Sequence, residues 1–180
     1  MEVSTLASGH FRILSLEEIG CFDEIPETGN TIEENAFQKA SFIFRKYKVD
    51  CFADDTGLEI EALEGRPGVY AARYAGEPCS FEDNMNKVLF EMQGKTNRKA
   101  VFRTVISLLL NGQEHLFEGR VEGHILEKKR GIQGFGYDPI FIPEGYKTSF
   151  AEMDIYTKNR ISHRGLAVSK LVTFLLTFQG

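Results

Sequence analysis

Two apolar runs, residues 100–110 and 115–121, flank the dipeptide Asn111-Gly112, and no other feature narrows the possible folds of this chain so far. Asn-Gly tolerates the positive φ angles of a tight hairpin turn, so the runs are predicted to be two long antiparallel strands. A sheet built on such a hairpin needs its apolar faces covered, and three helical patterns are available to do so. Asn30 or Thr31 would cap a helix whose Ile32, Ala36, Ala40, Phe44 and Tyr47 repeat at helical spacing. Ser80 opens a second, with Asp83 making a weak version of the capping box and Phe81, Met85, Val88, Leu89 and Met92 on its inner side. A third starts at about Ser162 and presents Ala167, Leu171, Phe174, Leu175 and Phe178 on one face. Strands mixed with helices make this an α/β chain. At 180 residues with 42% hydrophobic side chains it has apolar surface for one sizeable core, hence a single domain over residues 1–180.

Shorter elements fill the gaps. Residues 11–16 read as a short strand, and residues 139–143, bounded by Pro139 and Pro143, as an extended edge segment. Residues 49–53 read as a strand that runs into Asp54-Asp55-Thr56-Gly57, which would put two carboxylates at its carboxyl end, where open α/β sheets bind ligands.

Charge and cysteine usage exclude several classes. With 21 basic against 26 acidic residues the net charge is -5, so no general field draws the chain to nucleic acid or anionic lipid, and an anionic ligand must be captured by a local cluster. Cys21, Cys51 and Cys79 are odd in number and lack a CxxC pattern, which argues against a disulfide framework or zinc site. No stretch has the apolar length of a membrane span. A cytoplasmic location is expected, with no nucleic-acid and no membrane partner.

Three constellations can carry chemistry. Asp54-Asp55 suits a hard cation such as Mg²⁺, which takes carboxylate oxygens and keeps waters and phosphates as its other ligands; alternatively one Asp caps a turn and the other is solvated. Glu27, in a loop with Thr28-Gly29, could add a further metal oxygen, whereas Glu33 and Glu34 suit a helix dipole. In Gly134-Phe135-Gly136-Tyr137-Asp138-Pro139 the glycines let backbone approach a ligand while Phe135 and Tyr137 offer faces for a base, unless the run is an aromatic turn with Phe135 in the core. Lys158, His163 and Arg164 gather donors before the last helix, where an anion is favoured; a solvated basic face is the alternative. No GxSxG elbow and no partnered thiol is present, so nucleophilic catalysis is not expected.

Taken in order, Glu27-Thr28-Gly29, Glu34-Asn35-Ala36, Ala53-Asp54-Asp55-Thr56-Gly57-Leu58, Gly68-Val69-Tyr70-Ala71-Ala72-Arg73-Tyr74, residues 134–141 and Ser162-His163-Arg164-Gly165 resemble the inosine triphosphate pyrophosphatase, or Ham1-like, family. The resemblance implies a mixed, elongated central sheet with flanking helices, two lobes around a deep substrate cleft, and a homodimer. It implies Mg²⁺-dependent hydrolysis of non-standard purine nucleoside triphosphates (ITP, dITP, XTP) to the monophosphate and pyrophosphate. By the same resemblance Asp55 is the general base and a metal ligand, and Glu27 is the second metal carboxylate. Thr56, Phe135, Gly136, Tyr137, Asp138, Lys158, His163 and Arg164 are implied to contact substrate, Thr56 standing where many members have serine. Phe135 would stack on the purine. Arg164 would donate to a 6-oxo oxygen and N7, an edge at which adenine's N6 amino group meets donor with donor.

The family opens with a buried strand and a Ser/Thr-x-Asn-x-x-Lys phosphate loop. Met1-Glu2-Val3 is expected to begin inside the helix that follows them, so the chain is expected to be N-terminally truncated relative to the family. Two alternatives accompany this reading: a truncated paralogue that binds purine nucleotides without hydrolysis, and a Maf-like nucleotide pyrophosphatase, against which the Ser162-His163-Arg164-Gly165 and 134–138 motifs weigh.

Overall fold

The computed structural model describes residues 11–178. Helix α1 (Ile32–Tyr47) precedes strands β1 (Cys51–Ile60) and β2 (Pro67–Gly68), helix α2 (Phe81–Glu91) and the hairpin β3 (Lys99–Leu110) and β4 (Gln113–Ile125). Strand β5 (Phe141–Pro143) and helices α3 (Ile155–Ile161) and α4 (His163–Thr177) complete the chain. The strands form one sheet in the order β2-β1-β3-β4-β5, and every pairing is antiparallel.

The hairpin is as expected and longer at its open end, with Asn111 at φ 52° and Gly112 at φ 77° in the turn. Because successive strand residues point to opposite faces, Val105 and Ile106 go to different layers. Val105 joins Ile32 and Ala36 under α1, whereas Ile106, Leu108 and Leu110 pack against Ala167, Leu171 and Leu175 of α4. A larger core gathers Leu58, Ile60, Val88, Met92, Phe102, Ile125, Phe141 and Phe150. Each such side chain, fully buried, contributes about 1.5–3 kcal/mol of transfer free energy.

Three expectations about elements need correction, and one helix was missed. Residues 11–16 are not a strand: they form no ladder, and the chain turns from Ser15 through Gly20, with Leu14 and Leu16 exposed. The strand expected at 49–53 begins at Cys51 and continues to Ile60, so Asp54 and Asp55 sit mid-strand opposite Ile106 and Val105. Their polarity does not end the strand because each side chain finds a partner off the ladder. Of residues 139–143 only Phe141–Pro143 is extended, since Asp138–Ile140 winds into a single 3₁₀ turn. Helix α3 was not foreseen at all. The expectation that Met1–Glu2–Val3 starts inside a helix lies outside the described residues. No described helix is long and apolar enough to cross a membrane.

Candidate functional site

The acidic half of the site is assembled by the amino-terminal half of α1. Thr31 caps the helix, its hydroxyl accepting from the Glu34 amide at 3.1 Å, and Glu34 accepts in turn from the Asn30 amide at 2.7 Å. This reciprocal cap fixes where the next turn points. Asn35, fully buried, accepts from the Gly29 amide at 2.7 Å and donates to Asp55 Oδ2 at 3.3 Å, clamping the Glu27 loop to β1. One turn on, Lys39 Nζ lies 2.7 Å from Glu27 Oε1 and 3.0 Å from Asp55 Oδ1. Glu27 and Asp55 therefore converge on one cation position, held here by the lysine ammonium. Burial alone would depress the Lys39 ammonium, but the two carboxylates outweigh it and hold it above its ordinary value. Burial raises the Asp55 carboxyl above the usual carboxylate range against the pull of Lys39 and Asn35, which makes it the stronger base.

The opposite side of β1 carries the aromatic and cationic half. Gly134 lets the chain close on Asp138, since a Cβ there would lie 2.1 Å from Asp138 Oδ2. That buried oxygen accepts from the Phe135 amide at 2.8 Å and is ion-paired to Lys158. The turn pushes out the Phe135 ring, 52% exposed, with Lys158 Nζ 5.0 Å and the Arg164 guanidinium carbon 5.5 Å from its centroid. Such contacts favour both cations electrostatically.

Lys158 is delivered by α3, which Asp154 caps by accepting from the Tyr156 and Thr157 amides at 3.0 and 2.9 Å. Ser162 ends α3 and starts α4, its hydroxyl accepting from the Gly165 amide at 3.1 Å. The first turn of α4 lies almost on β4: a Cβ at Gly119 would be 1.8 Å from the His163 carbonyl oxygen. His163 is pressed flat on Phe102, centroids 4.4 Å apart at 10°, and its Nδ1 is buried with no partner among the described residues. Burial first, then the charges of Arg164 and Lys158, push its pKa down to about 3, so the ring is neutral at physiological pH. A buried, unpartnered ring nitrogen at this place is capacity for a ligand hydrogen bond.

The residues named from the sequence thus fall into two groups on the two faces of one strand: Glu27 and Asp55 under α1, and Phe135, Asp138, Lys158, His163 and Arg164 beside α4. Thr56 projects with the second group, its hydroxyl 2.7 Å from that of Thr104. Gly136 takes φ 59° in the turn. Tyr137 does not offer a face for stacking. Its ring is 4% exposed within the main core and its hydroxyl donates to the Ala71 carbonyl at 2.8 Å, so it shapes the loop from beneath. The Asp138 carboxylate is likewise occupied within the loop. The bare Asp-Asp pair is split: Asp55 meets Lys39, while Asp54 accepts from Arg164 Nη2 at 2.7 Å.

Lys39 was missed from the sequence, although it stands four residues after Asn35 and so shares its helical face. Of two open depressions, of about 710 and 640 Å³, neither is lined by Glu27, Asp55 or the aromatic-cationic group, and the second borders the Glu27 loop and α1 at Thr28, Gly29 and Glu34.

Comparison with known proteins places the chain in a family. The sequence profile described as the Ham1 family matches residues 1–174. The dITP/XTP pyrophosphatase of Flavobacterium psychrophilum is 53% identical over 174 residues, which cover 97% of this chain and 92% of that protein. That of Thermoanaerobacter pseudethanolicus is 46% identical over 178 residues, covering 97% and 90%. The solved Staphylococcus aureus Ham1 protein superposes with a TM-score of 0.90 at 38% identity, over 96% of this chain and 90% of its own. A HAM1 protein from Coxiella burnetii gives 0.92 at 36% identity, over 98% and 92%. With a profile match over nearly its whole length and relatives above half identity, the chain belongs to the Ham1 family.

Proposed function

We propose that this protein hydrolyses dITP, XTP and ITP to the nucleoside monophosphate and pyrophosphate, removing non-standard purines from the nucleotide pool. The observation that carries the reading is the use of adjacent β1 residues: Asp55 belongs to a carboxylate pair around a cation, and Asp54 touches the arginine of an aromatic-cationic cluster. One strand thereby joins a phosphate-handling half to a base-handling half. The relatives named as dITP/XTP pyrophosphatases support the substrate class.

The donor set fits a hard divalent cation, because two carboxylates that share one cation position leave further places for water and phosphate oxygens. Glu27 and Asp55 would hold Mg²⁺, which when bound supplies neutralisation of the triphosphate charge. Asp55, with its raised proton affinity, orients a water and accepts its proton as the oxygen bonds to the α-phosphorus. The α–β anhydride bond breaks and pyrophosphate leaves. With no metal bound, Lys39 fills the position between the two carboxylates and offsets their mutual repulsion. Phe135 supplies a stacking face, and Arg164 donates to the 6-oxo edge of the purine, with His163 and Lys158 completing the donors around it. Asp55 on a strand and Lys39 on a helix, with the Glu27 loop held to β1 through Asn35, keep this geometry fixed.

The protein is further proposed to act in the cytoplasm as a homodimer; a monomer mass by light scattering at micromolar concentration would overturn the latter. For the activity, pyrophosphate release is to be measured from dITP, XTP, dGTP and dATP with Mg²⁺. Asp55→Asn is expected to lower kcat at least about 100-fold with an unchanged melting temperature. Turnover near wild type would remove Asp55 from the base role. Binding of dITP by calorimetry without pyrophosphate release from the wild-type protein would favour the non-hydrolysing alternative.

A further inference from the structure

We infer that Asp54 is a specificity-determining residue that positions Arg164 for reading the purine, separately from the cation-handling role of its neighbour Asp55. The inference rests on the proposal that Arg164 reads the base edge.

Asp54 lies in the middle of β1, locked in the ladder opposite Ile106, and its side chain is short. It is therefore a stiff anchor. Arg164 is the opposite: a long side chain on the first turn of α4, 45% exposed, whose several rotatable bonds would scatter the guanidinium if nothing held it. Among the described residues Asp54 is the one hydrogen-bond partner of Arg164, Nη2 to Oδ2 at 2.7 Å. The guanidinium carbon is also 5.5 Å from the centroid of the Phe135 ring. One arm tied to a carboxylate and the guanidinium carbon set near an aromatic ring restrict where the group and its remaining N–H donors can go.

Reading a 6-oxo purine through two adjacent acceptors needs just that, because both bonds form only when the fork is coplanar with the base. Among the described residues Asp54 forms no hydrogen bond or ion pair with Glu27 or Lys39, so its effect is separable from that of Asp55. A surface ion pair without such a role would leave the choice of base untouched.

The test is the ratio of kcat/KM for dITP to that for dATP, read by pyrophosphate release, in wild type, Asp54→Ala, Asp54→Asn, Arg164→Ala and the Asp54→Ala/Arg164→Ala double variant. Melting temperatures confirm folding, and Asp54→Asn keeps the size of the side chain should alanine disturb β1. Both Asp54 variants are expected to lower kcat/KM for dITP about 10- to 100-fold, mainly through KM, while dATP changes by less than about threefold. In the Arg164→Ala background, Asp54→Ala is expected to add less than about twofold. An unchanged base ratio in both Asp54 variants, or full multiplication of the two effects in the double variant, overturns the role of Asp54. If Arg164→Ala itself keeps the wild-type ratio, the base-reading assignment falls and this inference with it. If Arg164→Ala loses the ratio and the Asp54 variants keep it, only this inference falls.

Discussion

Asp54, Asp55 and Thr56 are three consecutive polar residues inside a strand, and each is accommodated because alternation sends it to a different partner. Arg164 receives the first, Lys39 and Asn35 the second, and the Thr104 hydroxyl the third. A buried polar group without a partner would cost about 1–3 kcal/mol, and His163 Nδ1 is such a group. The ring also sets an acid limit on stability. Its folded-state pKa is about 3, below the ordinary value of 6.5, so the unfolded chain takes up a proton that the folded one refuses. Its contribution is therefore complete above pH 6.5 and is lost as pH falls towards 3, at up to about 1.4 kcal/mol per pH unit. Urea unfolding between pH 7 and pH 4 is expected to show a steeper fall for wild type than for His163→Gln; parallel curves would show that the ring protonates freely in the fold.

Among the elements, the contact between α4 and β4 is the most exacting. Gly119 lets the helix start against the strand, and an added Cβ would lie 1.8 Å from the His163 carbonyl oxygen and 2.6 Å from the Ala167 amide nitrogen. Both obstacles are backbone, so neither can rotate away. Gly119→Ala is expected to cost about 3 kcal/mol or more and to move His163 and Arg164, with dITP hydrolysis lost in whatever fraction folds. Unchanged melting and activity would show that α4 can lift from the sheet freely. Nothing near Gly119 in the sequence announces this, because the partner is more than forty residues away in α4. Helices α1, α2 and α4 were legible since each has a capping residue and an apolar stripe. Helix α3 was hidden for the opposite reason: its Ile155 and Tyr156 are exposed and its inward residue is Lys158, so it has no apolar period. Residues 11–16 are a short, mostly apolar run without a ladder to join, which is why local composition alone misread them.

Across the whole molecule, Arg103 joins four elements that local patterns treat separately. From β3 it reaches Glu33 of α1 at 2.7 Å, Glu59 of β1 at 3.0 Å and Glu118 of β4 at 2.7 Å. The three glutamates are 34–45% exposed, so solvent screening holds the network to a modest contribution. Arg103→Met is expected to lower stability at pH 7 by about 1–2 kcal/mol, the repulsion among the remaining carboxylates included. For Glu33, burial alone would raise the carboxyl, but its backbone and Arg103 hydrogen bonds outweigh this and hold it below the usual value. A depressed carboxylate gives its stability above the unfolded pKa, near 4.3, and loses it as pH falls through the lower folded value. The gap between wild type and Arg103→Met should accordingly close on acidification below about pH 4. A gap that persists in acid would mean that lost packing of the arginine stem, not charge, is responsible.

The hairpin, the three capped helices and the family motifs were determined by sequence alone, because turn chemistry, capping and apolar periodicity act over a few residues. The candidate site residues were also named from the sequence, Lys39 excepted. Only the tertiary structure decided how they divide: that β1 runs on through its polar stretch, that Asp54 and Asp55 serve opposite faces, that Lys39 bridges Glu27 and Asp55, and that Tyr137 lies under the loop it belongs to. These are contacts between residues 12 to 110 positions apart. A side chain's neighbours at such separations follow from how sheets and helices pack, and no local pattern carries that information.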